Sequence, residues 1–238
     1  MSTALTLAVL AVGLILTPLF CRWWGRHAGW PLAAVYVLAA AAYVPALTQG
    51  SGAAAGPASG SAAAWSVPWI PSWGTEGGEG VRLAFSADPV SSVFTLIALL
   101  IGAVVLVYST QYLDPGPNRS FYLGMALFTL SMVGLVTADD LAVLFISWEL
   151  TSLASFLLIA RSGQGAFAPS MRTLLVTFLG GLALLVAVVL MAVRTGTTDL
   201  GDVMASDVWA EDPAFTTLIG VLIALAAMTK SAQFPFHS

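Results

Sequence analysis

Two ionisable residues, Glu149 and Lys230, stand inside long apolar runs of this chain. In hydrocarbon such a charge costs about 2.5–3.5 kcal/mol on insertion scales, and residues of this kind face a bundle interior and mark ion or proton pathways. Glu149 lies about nine residues from Asp140 and eleven from Ala160. At 1.5 Å per residue that is about 14–17 Å from either end of its run, near the membrane midplane. Lys230 comes late in its own run, and Pro235 follows five residues later. Proline lacks a backbone donor and crowds the carbonyl four residues back, so a helix should kink or break beside the lysine and free carbonyls for an ion pathway. The other reading is a lysine snorkelling to the surface from a helix that simply ends. Position alone does not separate the two. Burial disfavours the charged form of an acid and of an amine alike, and their mutual approach opposes that effect. His237 is the one histidine near these residues, and it has no second histidine at ligand spacing. A metal site is not expected. No P-loop, dinucleotide fingerprint, catalytic triad or haem motif occurs, so no cofactor and no enzymatic chemistry is expected.

The elements that position these groups follow from composition. Of 238 residues 58% are hydrophobic and 8% charged, where a soluble domain carries about 25% charged residues. So few charges cannot cover a water-soluble globule, and the class is a polytopic all-α membrane bundle. The net charge of −4 and the lack of a basic run disfavour nucleic acid as a partner. The single cysteine, Cys21, excludes an internal disulfide and a cysteine-based metal cluster. Seven segments can cross about 30 Å of hydrocarbon: 3–21, 30–48, 89–112, 120–138, 140–160, 172–193 and 213–234. Lipid offers no partner for open backbone groups, so each is a helix.

No basic residue precedes the first span, while Arg22 and Arg26 follow it, which argues against a signal peptide. With the N-terminus outside, Arg22, Arg26, Arg119, Arg161 and Arg172 fall on cytoplasmic turns and only Arg82 and Arg194 fall outside. This bias favours that orientation, and Trp23, Trp24 and Trp30 sit at an expected interface. The outer loop 49–83 opens as a Gly/Ala/Ser-rich stretch from Gly50 to Ala64. The alternations Trp65/Val67/Trp69 and Val81/Leu83/Phe85, split by Gly77-Gly78, then suggest a short hairpin, with an irregular loop on greasy anchors as the alternative. A second outer loop, 195–212, collects Asp199, Asp202, Asp207, Glu211 and Asp212. It reads as a solvated acidic cap rather than a cation site.

Three stretches resemble a known family. Trp148-Glu149-Leu150-Thr151-Ser152, followed by Ser155-Phe156-Leu157-Leu158, resembles the fifth helix of the antiporter-like subunits shared by respiratory complex I and Mrp-type cation/proton antiporters. Lys230-Ser231-Ala232-Gln233-Phe234-Pro235-Phe236-His237 resembles their broken seventh helix, and Asp88-Pro89-Val90-Ser91 the opening of the third. The ending Phe-Pro-Phe-His and the run Leu174 to Gly181 look like the MrpA subunit of the Mrp antiporter. Respiratory relatives usually carry an Arg and an Asp where Phe178 and Gly181 stand, which favours the Mrp branch. Gly180-Gly181 also has a plain use in letting helices approach closely.

The resemblance implies proton transfer by Glu149 and Lys230, with His237 as a further relay, in exchange for Na⁺ or another monovalent cation. It implies a multi-pass subunit of a hetero-oligomeric complex in the cell membrane, in contact with lipid, other subunits, H⁺ and Na⁺. It divides the chain into 1–82, two helices with the outer loop and hairpin, and 83–238, the start of an antiporter-like domain. Family members continue for several more helices, so the chain reads as an N-terminal portion. The rival function is a proton-pumping coupling subunit of an NADH-quinone oxidoreductase or a membrane-bound hydrogenase. A third is a scaffold that transports nothing.

Overall fold

The computed structural model describes residues 2–50, 65–70, 80–114, 118–161, 163 and 165–237. The chain begins with α1 (Ser2–Trp24), a 3₁₀ turn at Gly25–Ala28 and α2 (Gly29–Gly50). Two strands follow, β1 (Trp65–Pro68) and β2 (Arg82–Phe85). Then come α3 (Pro89–Tyr112), α4 (Arg119–Val136), α5 (Leu141–Ala160) and α6 (Phe167–Thr195). Two short helices, α7 (Leu200–Ala205) and α8 (Val208–Glu211), lead into α9 (Pro213–Lys230). α3, α4, α5, α6 and α9 are each long and apolar enough to cross a membrane. So is the run Thr3–Pro45, which the 3₁₀ turn folds into α1 and α2 lying against each other.

Acidic residues set the helix starts. Asp88 accepts from the amides of Val90 and Ser91 at 2.7 and 2.8 Å, and Ser91 Oγ accepts from Asp88 N at 2.9 Å, a reciprocal box with Pro89 in the first turn. Asp140 caps α5 through Ala142 N at 2.7 Å. Asp212 caps α9 through Phe215 N at 3.0 Å. α6 stops at Gly196, whose φ of 76° is the left-handed geometry that glycine adopts at a helix end.

Two boundaries depart from expectation. α6 starts at Phe167 rather than 172, because its first turn carries Pro169, which a helix tolerates at its start, and residues too polar for a hydropathy run. α9 ends at Lys230 rather than 234, and Ala232 turns the chain with a φ of 50°. The loop 195–212 is not an irregular cap. Asp199 caps α7 through Asp202 N at 3.1 Å, and Asp212 pairs with Arg194 at 3.2 Å.

The hairpin forms in the expected register, Trp65 opposite Phe85 and Val67 opposite Leu83, with the Trp65 and Phe85 rings stacked 6.0 Å apart. The stretch 51–64 and the expected turn glycines Gly77 and Gly78 lie outside the described residues. β2 is tied to the α4–α5 turn by Asp139 N to Ala84 O at 3.0 Å and Ser86 N to Thr137 O at 2.9 Å. The same turn holds the segment after α6 through Leu141 N to Thr198 O at 2.8 Å and Leu200 N to Asp139 O at 3.1 Å. One end of the bundle is thus knitted by backbone hydrogen bonds.

At the opposite end Tyr122 donates to Arg26 O at 2.6 Å, and Arg161 donates to Ser120 and Asn118. That end gathers Arg22, Arg26, Arg119 and Arg161, with Trp23, Trp24 and Trp30 exposed beside them. The core has two parts. Leu32, Tyr36, Leu99, Leu106 and Tyr122 pack where α1 to α4 meet, and Leu141, Leu184, Val188, Met191 and Ile219 pack where α5, α6 and α9 meet. Outward-facing side chains such as Ile15, Val104 and Val193 are apolar and exposed, which suits a surface in lipid. The chain is a multi-pass helical membrane protein.

Candidate functional site

α5 is apolar around most of its circumference, so the polar residues between Trp148 and Ser152 are conspicuous at its middle. They lie about 11–17 Å along the helix from Leu141. Lys230, in the last turn of α9, reaches this level. Its Nζ donates to Trp148 O at 2.9 Å, to Ser152 Oγ at 3.1 Å and to Thr151 Oγ1. It also lies 4.5 Å from the centre of the Trp148 ring, within cation–π range. Lys230 is therefore not a snorkelling residue. α9 ends at mid-depth of α5, and the lysine is held inside the bundle.

An ammonium has three donors, and here each finds an oxygen. Both hydroxyls in turn donate to the same carbonyl, Thr151 Oγ1 to Trp148 O at 2.8 Å and Ser152 Oγ to Trp148 O at 3.2 Å. Their protons are committed, which leaves lone pairs for the lysine.

Glu149 does not close an ion pair with Lys230. Among the described residues the carboxylate contact within 4 Å of a basic group is Asp212 with Arg194. The Glu149 side chain instead points to α6, where Gly181 receives it. A Cβ built at 181 would overlap Glu149 Oε1. The neighbouring Gly180 does the same for Thr229 of α9, the residue before Lys230. Two successive glycines thus admit one side chain from each flanking helix, which is more specific than general close approach. Glu149 Oε1 is buried and accepts no hydrogen bond from the described residues. The carboxylate also borders a cleft of about 520 Å³ between α5 and α6, walled by Phe145, Ile146, Leu153, Leu175 and Phe178. The positions where the sequence departs from the respiratory pattern, Phe178 and Gly181, thus both adjoin Glu149 here.

The structure therefore brings Lys230 onto the residues flanking Glu149. It leaves His237 outside this group: the ring is exposed and packs on Phe234, 5.8 Å between centres. Pro235 lies in the turn after α9, consistent with the expected end of the helix near Lys230. Among the described residues no group of three His, Cys, Asp or Glu side chains is placed to hold a metal ion. Thr151, Ser152 and Thr229 were not singled out by the sequence. Hydroxyls two and three residues after an intramembrane carboxylate were the available signal.

The comparisons with known proteins agree with this geometry. The transmembrane model of the NADH:quinone oxidoreductase/Mrp antiporter family matches residues 138–238, which contain both motifs. The model of the N-terminus of chain 5 of NADH-ubiquinone oxidoreductase (complex I) matches residues 73–122. A Staphylococcus aureus (strain MRSA252) chain named as an antiporter subunit, mnhA2, is 37% identical over 177 residues, covering 72% of this chain and 21% of the relative. A chain of the Mrp complex from Dietzia sp. DQ12-45-1b superposes with a TM-score of 0.85 at 46% identity, covering 100% of this chain and 24% of that one. A chain of an archaeal membrane-bound sulfane sulfur reductase shares the fold, with a TM-score of 0.72 at 18% identity over 100% of this chain and 35% of that one. The chain spans about a fifth of the curated relative's length. From its motifs, its fold and these matches, the chain belongs to the antiporter-like subunit family shared by Mrp antiporters and respiratory complex I, and within it is similar to MrpA.

Proposed function

We propose that this chain forms part of a membrane subunit of a multisubunit cation/proton antiporter and moves H⁺ in exchange for Na⁺ through Glu149 and Lys230. The observation that carries the reading is the docking of Lys230 at mid-depth on α5, on residues to either side of Glu149. A proton on its way through hydrocarbon needs groups that both hold and release it. Glu149 offers a buried oxygen free of donors, in reach of the cleft between α5 and α6. Lys230 offers an ammonium held by neutral oxygens, so Glu149 can change protonation without a tight ion pair to break. His237, exposed beyond α9, would extend the path from Lys230. The other subunits of the complex, the lipid bilayer, H⁺ and Na⁺ are the partners of this reading. The cell membrane is its location, with the N-terminus outside and the arginine-rich end in the cytoplasm.

The alternative is a coupling subunit of an NADH-quinone oxidoreductase or membrane-bound hydrogenase, favoured by the fold shared with an archaeal respiratory complex. Phe178 and Gly181 argue for the antiporter, because they leave Glu149 without the charged neighbours that the respiratory pattern supplies. The test is Na⁺-driven pH change in everted vesicles carrying the whole complex. Glu149→Gln is expected to abolish it with assembly intact. Undiminished exchange by that variant would remove Glu149 from the pathway.

A further inference from the structure

We propose that the oxygen cradle on α5, formed by Trp148 O, Thr151 Oγ1 and Ser152 Oγ, is a binding site for a dehydrated monovalent cation, and that Lys230 is its tethered competitor. The proposal rests on the antiport reading above and names where the cation binds.

The argument begins with the protons. Thr151 and Ser152 both donate to Trp148 O, so each presents only lone pairs to the centre of the cradle. The third member is a carbonyl. Three acceptors and no donor match an ammonium, whose three N–H groups they satisfy. They do not match a neutral amine. That group has two N–H donors and a lone pair, and the lone pair would face an acceptor without a hydrogen between them. Loss of one proton from Lys230 therefore ejects the amine from the cradle. What remains is a set of hard oxygen atoms, which is the ligand chemistry of alkali and alkaline-earth cations. The Trp148 ring, 4.5 Å from Nζ, and the end of α9, whose carbonyls carry partial negative charge, both favour a cation at the same point.

The exchange balances. The Nζ–H bond of Lys230 breaks, a Glu149 O–H bond forms, and the amine leaves as the cation enters. When Glu149 then gives up that proton, one cation has replaced one proton and the local charge is unchanged. Three neutral ligands suit a monovalent ion, since a divalent one would leave an excess charge in hydrocarbon. Glu149 is the titratable group that faces Lys230 from α5. α6 contributes Arg172 and Arg194 near its two ends, with Arg194 paired to Asp212, and α8 contributes Glu211 at the far end of α9.

The experiment measures ²²Na⁺ equilibrium binding to the purified complex containing the full-length protein, across a pH series, alongside transport in proteoliposomes. Wild-type binding should weaken with falling pH as protonated Lys230 competes. Lys230→Ala should bind Na⁺ more tightly and lose that pH dependence. Thr151→Val, of the same shape without the acceptor, should raise the half-saturating Na⁺ concentration about tenfold, and Thr151→Ser should restore it. Ser152→Ala should act in the same direction as Thr151→Val. Unchanged Na⁺ affinity in Thr151→Val and Ser152→Ala, with Glu149→Gln still inactive, would overturn the cradle and leave the relay standing. Full exchange by Glu149→Gln would overturn the relay itself, whatever Thr151→Val does. Lys230→Ala that binds Na⁺ no more tightly than wild type would overturn the competition.

Discussion

Gly181→Ala isolates the placement of the Glu149 carboxylate from its chemistry. The added Cβ would overlap Oε1 and come to 2.9 Å from Cδ and 3.3 Å from Oε2, where ordinary contact begins at 3.4 Å. The carboxylate carbon must retreat by roughly 0.5 Å, and Oε1 by more than about 1 Å, to restore normal separations. The obstacle is the flexible end of a side chain, so the backbone of α5 need not move. Stability then changes little. Alanine gains about 1 kcal/mol over glycine in a helix interior, which offsets much of an overpacking cost of about 1–3 kcal/mol. Function is another matter, because a displacement of about 1 Å in a reacting group costs on the order of 100-fold in rate. The expected outcome is an assembled complex of near wild-type thermal stability whose Na⁺/H⁺ exchange is slowed roughly 10- to 100-fold. Gly220→Ala on α9, where a Cβ meets nothing within 4 Å, is the matched control and should exchange at the wild-type rate. The assay is initial-rate fluorescence dequenching in proteoliposomes at equal amounts of complex. Gly181→Ala exchanging at the rate of Gly220→Ala would refute the claim that the carboxylate works from its seat against α6.

Three further predictions concern the frame. Asp140→Ala removes the cap of α5 and the bond from Thr198 Oγ1 at 2.6 Å, and should lower stability by about 2–3 kcal/mol in thermal unfolding of the complex, with an unchanged midpoint counting against the capping role. Arg194→Gln breaks an ion pair whose side chains are 55% and 36% exposed, so its effect should stay within about 1 kcal/mol and shrink as salt is raised. In a Cys21→Ala background, cysteines at Ser66 and Ala166 should label from opposite sides, Ser66 from outside. Labelling of Ser66 from the cytoplasm would reverse the orientation.

The spans were legible because each is decided locally. A helix in lipid satisfies its own backbone, so an apolar run of sufficient length is enough to specify it. The start signals were local too: Asp88-Pro89 and Asp212-Pro213 supply a cap and a first turn within four residues. The hairpin could be read from alternation, since its pairing strands carry Trp65, Val67, Leu83 and Phe85 two residues apart. Glu149 and Lys230 could be picked out singly, because a charge in an apolar run needs no partner to be noticed.

Their relation belonged to the tertiary structure. α5 is apolar around most of its surface, so periodicity does not say which side meets α6 and which meets α9. Rotation and tilt, set by small packing differences, turn Glu149 to Gly181 and offer Thr151 and Ser152 to Lys230. The α4–α5 turn likewise has no motif, yet it joins β2 to the segment after α6 because its backbone groups had to find partners beyond the helices. Gly181 shows the division at a single residue. The sequence marks a small side chain on a helix, and only the fold decides that a carboxylate takes the space of the missing methyl.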